Sequence, residues 1–156
     1  MLDEITVRTE AADSLVAVRL VEAMVAEMEE LYDLPPGSGL GTGAPPADFA
    51  PPGGTFLVLY AGGRPVAGGG VMRDADGVAE IKRMYVVPEA RRQGLGRQLL
   101  EALEDAAREL RYRAVRLDTG ARQPHAQAMY ARAGYHAIGN YNGNSQASFW
   151  GEKILR

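Results

Sequence analysis

Apolar residues recur along this chain with two different periods, and the switches between them mark out the elements. Ile5-Thr6-Val7-Arg8 alternates apolar with polar and predicts a short strand. Beyond it Leu15, Val18, Val21, Val25, Met28 and Leu31 fall at helical spacing. They predict a helix, whole or broken into two, with Thr9 or Asp13 as its cap. Glu22, Glu27, Glu29 and Glu30 fall on the opposite side, as a solvated face or as one that attracts a cationic substrate.

Between Leu34 and Gly54 the pattern stops. Six of the chain's nine prolines lie there, with six glycines. Such composition does not support helix or strand interiors, so 34–54 is expected to be a flexible Pro/Gly-rich loop, a connector or a substrate-covering lid. Phe49 is its expected anchor.

Thr55–Tyr60 reads as a strand by its β-branched and aromatic content, Gly62-Gly63 makes a hairpin turn, and Pro65–Met72 returns as the next strand. The triple glycine Gly68-Gly69-Gly70 suggests that another backbone or a ligand comes close. Asp76-Gly77 turns the chain into Val78–Val87, which completes an antiparallel meander. Leu95, Leu99, Leu100, Leu103, Ala106, Ala107 and Leu110 then form the clearest apolar stripe in the chain, with Glu104 and Arg108 one turn apart. Tyr112–Asp118 reads as a strand, and the helical crossover before it makes it parallel to Val78–Val87. A short helix over His125–Ala133 starts at Pro124 and stops at Gly134. A strand from Tyr135, a polar loop over Asn140–Gln146 and a last strand over Ala147–Leu155, containing Trp150, close the chain. The order β, α, β-β-β, α, β, α, β-β is that of a mixed α/β (α+β) fold.

Composition narrows the function. With 156 residues, 46% hydrophobic and 24% charged, the chain suits one domain over 1–156 with one core. No run approaches a membrane span, and no basic-then-apolar leader precedes the first strand, so a cytoplasmic protein without a membrane partner is expected. The absence of cysteine removes disulfides and thiol nucleophiles, and two histidines, His125 and His136, are too few for a metal cluster, so no metal is expected. With a net charge of −3 and its arginines gathered around one turn and on helix surfaces, the chain is not expected to carry an extended nucleic-acid footprint.

The chemistry concentrates where the meander enters the long helix, at Arg91-Arg92-Gln93-Gly94-Leu95-Gly96-Arg97. Two glycines at the turn and unpaired N–H groups at a helix start make an anion site suited to a diphosphate. The spacing excludes a Walker loop, because no Lys-Ser or Lys-Thr follows. It also excludes a dinucleotide fingerprint, because Leu99 stands where the third glycine belongs. What remains, Arg91-x-x-Gly94-x-Gly96 after a strand, resembles the pyrophosphate motif of the GNAT superfamily of acetyl-CoA-dependent N-acyltransferases. Leu117-Asp118-Thr119-Gly120, Gln123-Pro124, Met129-Tyr130, Gly134-Tyr135 and the closing Phe149–Leu155 resemble that family's C-terminal half.

The resemblance implies a GNAT fold: a single domain whose mostly antiparallel mixed sheet is splayed between the strands before and after the long helix, and flanked by helices. It implies acetyl-CoA as co-substrate and an amine acceptor, and leaves room for a homodimer. Met84, Tyr85 and Val86 would offer backbone groups to the pantetheine and thioester. Arg91, Arg92, Gln93, Gly94, Leu95, Gly96 and Arg97 would hold the diphosphate, and Gln123 stands where many members place a cofactor-contacting asparagine. Tyr130 matches the tyrosine that donates to the leaving thiolate. Glu80 is the first candidate base, with pairing to Lys82 as its plain structural alternative, and Asp118 is the second. Tyr141 is a candidate wall of the acceptor site or a loop aromatic folded onto the surface. Two functions follow: acetyl transfer to a primary amine, or a non-catalytic acetyl-CoA-binding regulatory module.

Overall fold

The computed structural model describes residues 3–38 and 43–156. Part of the expected 34–54 loop, residues 39–42, therefore lies outside the described residues. The elements run β1 (Ile5–Thr9), α1 (Leu15–Leu31), β2 (Thr55–Ala61), β3 (Arg64–Ala75), β4 (Val78–Val86), α2 (Leu95–Glu109), β5 (Ala114–Gly120), α3 (Pro124–Arg132), β6 (His136–Ala137) and β7 (Ala147–Ile154). Seven strands form one sheet in the order β1-β2-β3-β4-β5-β7-β6. Every neighbouring pair is antiparallel except β4 and β5, as the crossover through α2 requires. No helix among the described residues is long and apolar enough to cross a membrane.

The parallel pair is short. β4 and β5 are in register only at Val78 with Ala114, Ala79 with Val115 and Glu80 with Arg116. Beyond Glu80 the two strands part, and this is the splay that the resemblance implied. Its local cause lies in β4. Against β3 the register passes from Lys82 opposite Gly70 to Tyr85 opposite Gly68, so three steps face two. Arg83 takes up the extra residue at φ 60. Such a bulge bends and twists its strand.

The sheet is covered on both faces. Leu95, Leu99, Leu100 and Leu103 of α2, with Tyr130 of α3, bury one face against Leu59, Ala79, Ile81, Val115 and Leu117. Ala17 and Leu20 of α1, with Phe49, bury the other against Phe56, Val58 and Tyr60. The expected stripe of α1 is rotated: Ala17, Leu20 and Met24 are buried, whereas Leu15 and Leu31 are exposed. A chain of valines and leucines on both flanks left the phase of this helix open. Ser14, not Thr9 or Asp13, caps it, its hydroxyl accepting from Ala17 N at 3.2 Å. Glu29, expected outside, is buried. The expected Glu104–Arg108 pair also fails. Glu104 is buried and accepts from the Tyr135 hydroxyl at 2.7 Å and Lys153 Nζ at 3.0 Å, while Arg108 turns to Asp105.

Within 34–54, residues Pro46–Phe49 form a single 3-10 turn, and Phe49 is buried as expected. The nearest neighbours of the three glycines are side chains: Leu20 at Gly68, Leu103 at Gly69 and Phe49 at Gly70. A Cβ on Gly70 would stand 2.7 Å from Phe49 Cε1 and nearer still to Cδ1, and one on Gly68 would stand 2.9 Å from Leu20 Cδ1.

Candidate active site at the splayed strands

Where β4 and β5 part, three carboxylate and hydroxyl groups are gathered. Glu80 faces the α1 side, since its partner Met72 across the β3–β4 ladder packs into that cluster. Glu80 is 5% exposed. Its Oε2 accepts from the Tyr141 hydroxyl at 2.6 Å and from Asn142 Nδ2 at 2.9 Å, with Lys82 Nζ at 3.6 Å. Asn142 Nδ2 also reaches Asp118 Oδ2, at 2.6 Å, and Asn144 Nδ2 reaches the same oxygen at 3.2 Å. Trp150 Nε1 fixes the orientation of Asn142 by donating to its Oδ1 at 3.1 Å. One amide thus joins the two carboxylates that the sequence offered as candidate bases. Tyr141 is folded onto Glu80 rather than onto the surface: burial, then its bond to Glu80, hold its hydroxyl strongly protonated.

Tyr130 approaches from the α2 side. It is 7% exposed, its ring meets Tyr135 edge-on at 5.9 Å, and its hydroxyl points at Met84 Sδ, 3.7 Å away. Burial, with Asp118 nearby, pushes its pKa to about 12. A thioether is a weak acceptor. The hydroxyl therefore remains a protonated donor with no stronger acceptor among the described residues.

The stretch Arg91–Arg97 leads into the start of α2. Gly94 occupies the N-cap at φ 77, a conformation favourable to glycine, and no side chain caps the helix. A Cβ at Gly94 would meet nothing within 4 Å, so the approach to the helix end is open. Leu95 is buried and begins the helix, and Gly96 abuts Met129. The three arginines differ. Arg91 is tied down: it donates to Glu27 Oε2 at 2.7 Å and to Val86 O at 3.0 Å, and its guanidinium lies 5.6 Å from the Tyr85 ring. Arg92, Gln93 and Arg97 are exposed, Arg92 at φ 64 and Arg97 paired with Glu101 at 3.1 Å. Tyr85, between Glu27 and Arg91, has its pKa pushed to about 12 by burial and then by Glu27.

Gln123 stands on the opposite rim, at the N-cap of α3. Its Oε1 accepts from Gly120 N at 3.2 Å and from the Tyr32 hydroxyl at 3.3 Å. Arg122 next to it donates to Leu31 O at 2.7 Å and Asp33 Oδ2 at 3.0 Å. The C-terminal half of α1 is therefore moored to both rims, at Glu27–Arg91 on one and at Tyr32 on the other.

Sequence reasoning missed the residues that organise this arrangement. Asn142 was legible only as the tip of an Asn-Gly turn, Trp150 only as a strand residue, and Glu27 only as part of an acidic face. The alternation of Glu80 and Lys82 on one strand face was the signal for their pairing.

The comparisons agree with this geometry. A family model described as acetyltransferase (GNAT) family matches residues 19–135. An IAA acetyltransferase from Azospirillum brasilense is 31% identical, the match covering 99% of this chain and all of that one. Among solved structures, an acetyltransferase of the GNAT family from Staphylococcus aureus Mu50 superposes with a TM-score of 0.81 at 15% identity, over 98% of this chain and 100% of that one. A PaiA N-acetyltransferase from Thermoplasma acidophilum in complex with coenzyme A has a TM-score of 0.67 at 15% identity, over 97% and 99%.

Proposed function

The chain belongs to the acetyltransferase (GNAT) family, whose members are acyltransferases, and from that premise we propose that it acts as one N-acetyltransferase domain. It moves the acetyl group of acetyl-CoA to a primary amine by direct attack in a ternary complex. The observation that carries this reading is the Tyr130 hydroxyl, buried at the splay, protonated, and aimed at a sulfur atom that is only a weak acceptor.

The residues present fit acetyl-CoA. The uncapped first turn of α2, entered through Gly94, offers N–H groups and the positive end of the helix dipole to a diphosphate. Arg92 and Arg97 add charge from solvent, whereas Arg91 shapes the loop through Glu27 and Val86. Met84, Tyr85 and Val86 lie on the part of β4 that β5 leaves unpaired, so this edge can receive an extended pantetheine arm, apart from Val86 O, which Arg91 already occupies. Gln123 serves this site as the cap that holds the α3 rim.

The amine nitrogen attacks the thioester carbonyl, a C–N bond forms and the C–S bond breaks. Glu80 takes the amine proton, directly or through water, with Asp118 linked to it through Asn142. A backbone N–H of Tyr85 or Val86 stabilises the carbonyl oxygen as it gains charge. Tyr130 donates to the departing sulfur. Complete proton transfer from a tyrosine at about 12 to a thiolate of ordinary pKa is uphill by roughly 5 kcal/mol. Tyr130 therefore acts mainly by hydrogen bonding, and the proton on free CoA comes from solvent. The test is amine-dependent release of CoA by the wild type and its loss in Tyr130→Phe. IAA, named for the Azospirillum relative, joins the amines in the acceptor panel.

A further inference from the structure

A half-buried cation on the α1 side of the sheet forms no ion pair among the described residues. Arg83 takes the bulge position of β4, at φ 60. It is half-buried on the face covered by α1 and Phe49. Its Nη2 donates to Ala44 O, and its guanidinium lies 4.8 Å from the Phe49 ring centroid. Its Nε is shut off from solvent and has no partner among the described residues. The one acid whose charge it feels is Asp48, and burial outweighs that help. The other half-buried arginine of this sheet is treated differently: Arg116 is paired with both Asp74, at 2.9 Å, and Glu152, at 2.8 Å.

A guanidinium taken out of water without an anion costs free energy, and proteins otherwise pair such groups. A bulge that costs a non-glycine residue a left-handed conformation, and that leaves a half-buried guanidinium with an unbonded Nε, has a simple account if an anion arrives with a ligand. The position is informative. Glu80, Lys82 and Arg83 lie on the same face of β4, and at the rise of a strand Glu80 and Arg83 are roughly 10 Å apart along the chain. Their own side chains close part of that gap. A small molecule can thus place its amine at Glu80 while its carboxylate meets the Arg83 guanidinium in a charge-assisted hydrogen bond.

We propose that Arg83 is the anchor for a carboxylate on the acceptor, so that the acceptor class is small amines bearing a carboxylate, such as amino acids. This rests on the acyl-transfer reading above and narrows it. Arg83 is a specificity determinant rather than a member of the proton-transfer pair.

The experiment compares thiol release with a set of amino acids and with the same compounds as amides, for wild type and Arg83→Met. The wild type is expected to favour the acids at least tenfold in kcat/KM, mainly through KM. Arg83→Met is expected to abolish that preference while acetyl-CoA affinity and turnover with the amides hold. Binding is measured separately by calorimetry with N-acetylglycine and its amide, in the presence of CoA. The acid is expected to bind the wild type more tightly than its amide, and Arg83→Met to bind both alike. Equal use of acids and amides by the wild type overturns the proposal, and so does an equal loss of both in Arg83→Met with a lowered Tm, which marks a purely structural arginine. Acetyl-CoA binding without thiol release from any amine would instead overturn the acyl-transfer reading and this proposal with it.

Discussion

The Tyr141 hydroxyl donates to Glu80 Oε2 over 2.6 Å, so a residue of the 140–146 loop closes over a carboxylate of the sheet. This short, charge-assisted bond couples loop and strand alongside that of Asn142. Tyr141→Phe removes the donor and leaves a nearly buried carboxylate short of one partner, at a cost of about 1–3 kcal/mol. A fall in Tm of several degrees is expected. In a Glu80→Gln background the same substitution should cost clearly less. The double-mutant cycle by thermal or urea unfolding measures the difference.

Asn142 holds Asp118, Glu80 and Trp150 together. Asn142→Ala should release all three, and the protein carries a built-in reporter because Trp150 is its single tryptophan. Its fluorescence emission should shift to the red and catalytic turnover should fall, while calorimetric affinity for acetyl-CoA, whose proposed site is at α2, stays within a factor of two or three. An unchanged emission maximum would show that the loop is held by other contacts.

Tyr130→Phe deletes one oxygen whose present partner is a thioether. Stability should hardly change. Hydrogen bonds to charged groups contribute about 1.5–3 kcal/mol, so kcat should fall roughly 10- to 100-fold with the acetyl-CoA dissociation constant preserved. Steady-state kinetics and calorimetry on the same variant check both halves.

The alkaline limb of stability should be governed by tyrosines. Burial pushes Tyr85 and Tyr130 from 10.0 to about 12, and Tyr135 and Tyr141 higher still. Folded values above unfolded ones mean that these groups contribute fully below pH 10 and that the contribution is lost as pH rises through 10 to 12 and beyond. Tyrosinate absorbance at 295 nm should therefore rise with a cooperative step that coincides with loss of the circular dichroism signal. A smooth titration centred at pH 10 with structure intact would contradict the burial of these hydroxyls.

Gly70 is placed by packing. Gly70→Ala sets a methyl group against the buried Phe49 ring, and overpacking of this kind costs about 1–3 kcal/mol. Reduced Tm, with partial recovery when Phe49 is replaced by Leu, is the expected pattern.

The order and kind of the elements were legible because each carries a strong local period and clear punctuation by glycine and proline. The parallel β4–β5 pair followed from the length of the crossover through α2. The phase of α1 was not legible: valine and leucine occur on several of its faces, and only the sheet it packs on selects Ala17, Leu20 and Met24. Glu104 misled for a related reason, since its neighbour at helical spacing, Arg108, competes with Tyr135 and Lys153 from distant parts of the chain. Glu80, Asp118 and Tyr130 could be named from motif context, and all three do stand at the splay. Their connection through Asn142 could not be named, because it joins residues 24 and 62 positions apart in the chain. Nor could the isolation of Arg83, which only an account of its surroundings reveals.

The central claim is tested most directly by following thiol release from acetyl-CoA with a chromogenic disulfide, with and without a panel of amines. The protein has no cysteine to contribute background. Release that depends on an amine, matched mole for mole by N-acetylated product in the mass spectrum, is the predicted result. Saturable binding of acetyl-CoA with no amine-stimulated release would contradict it and leave a domain that holds the molecule without transferring its acetyl group.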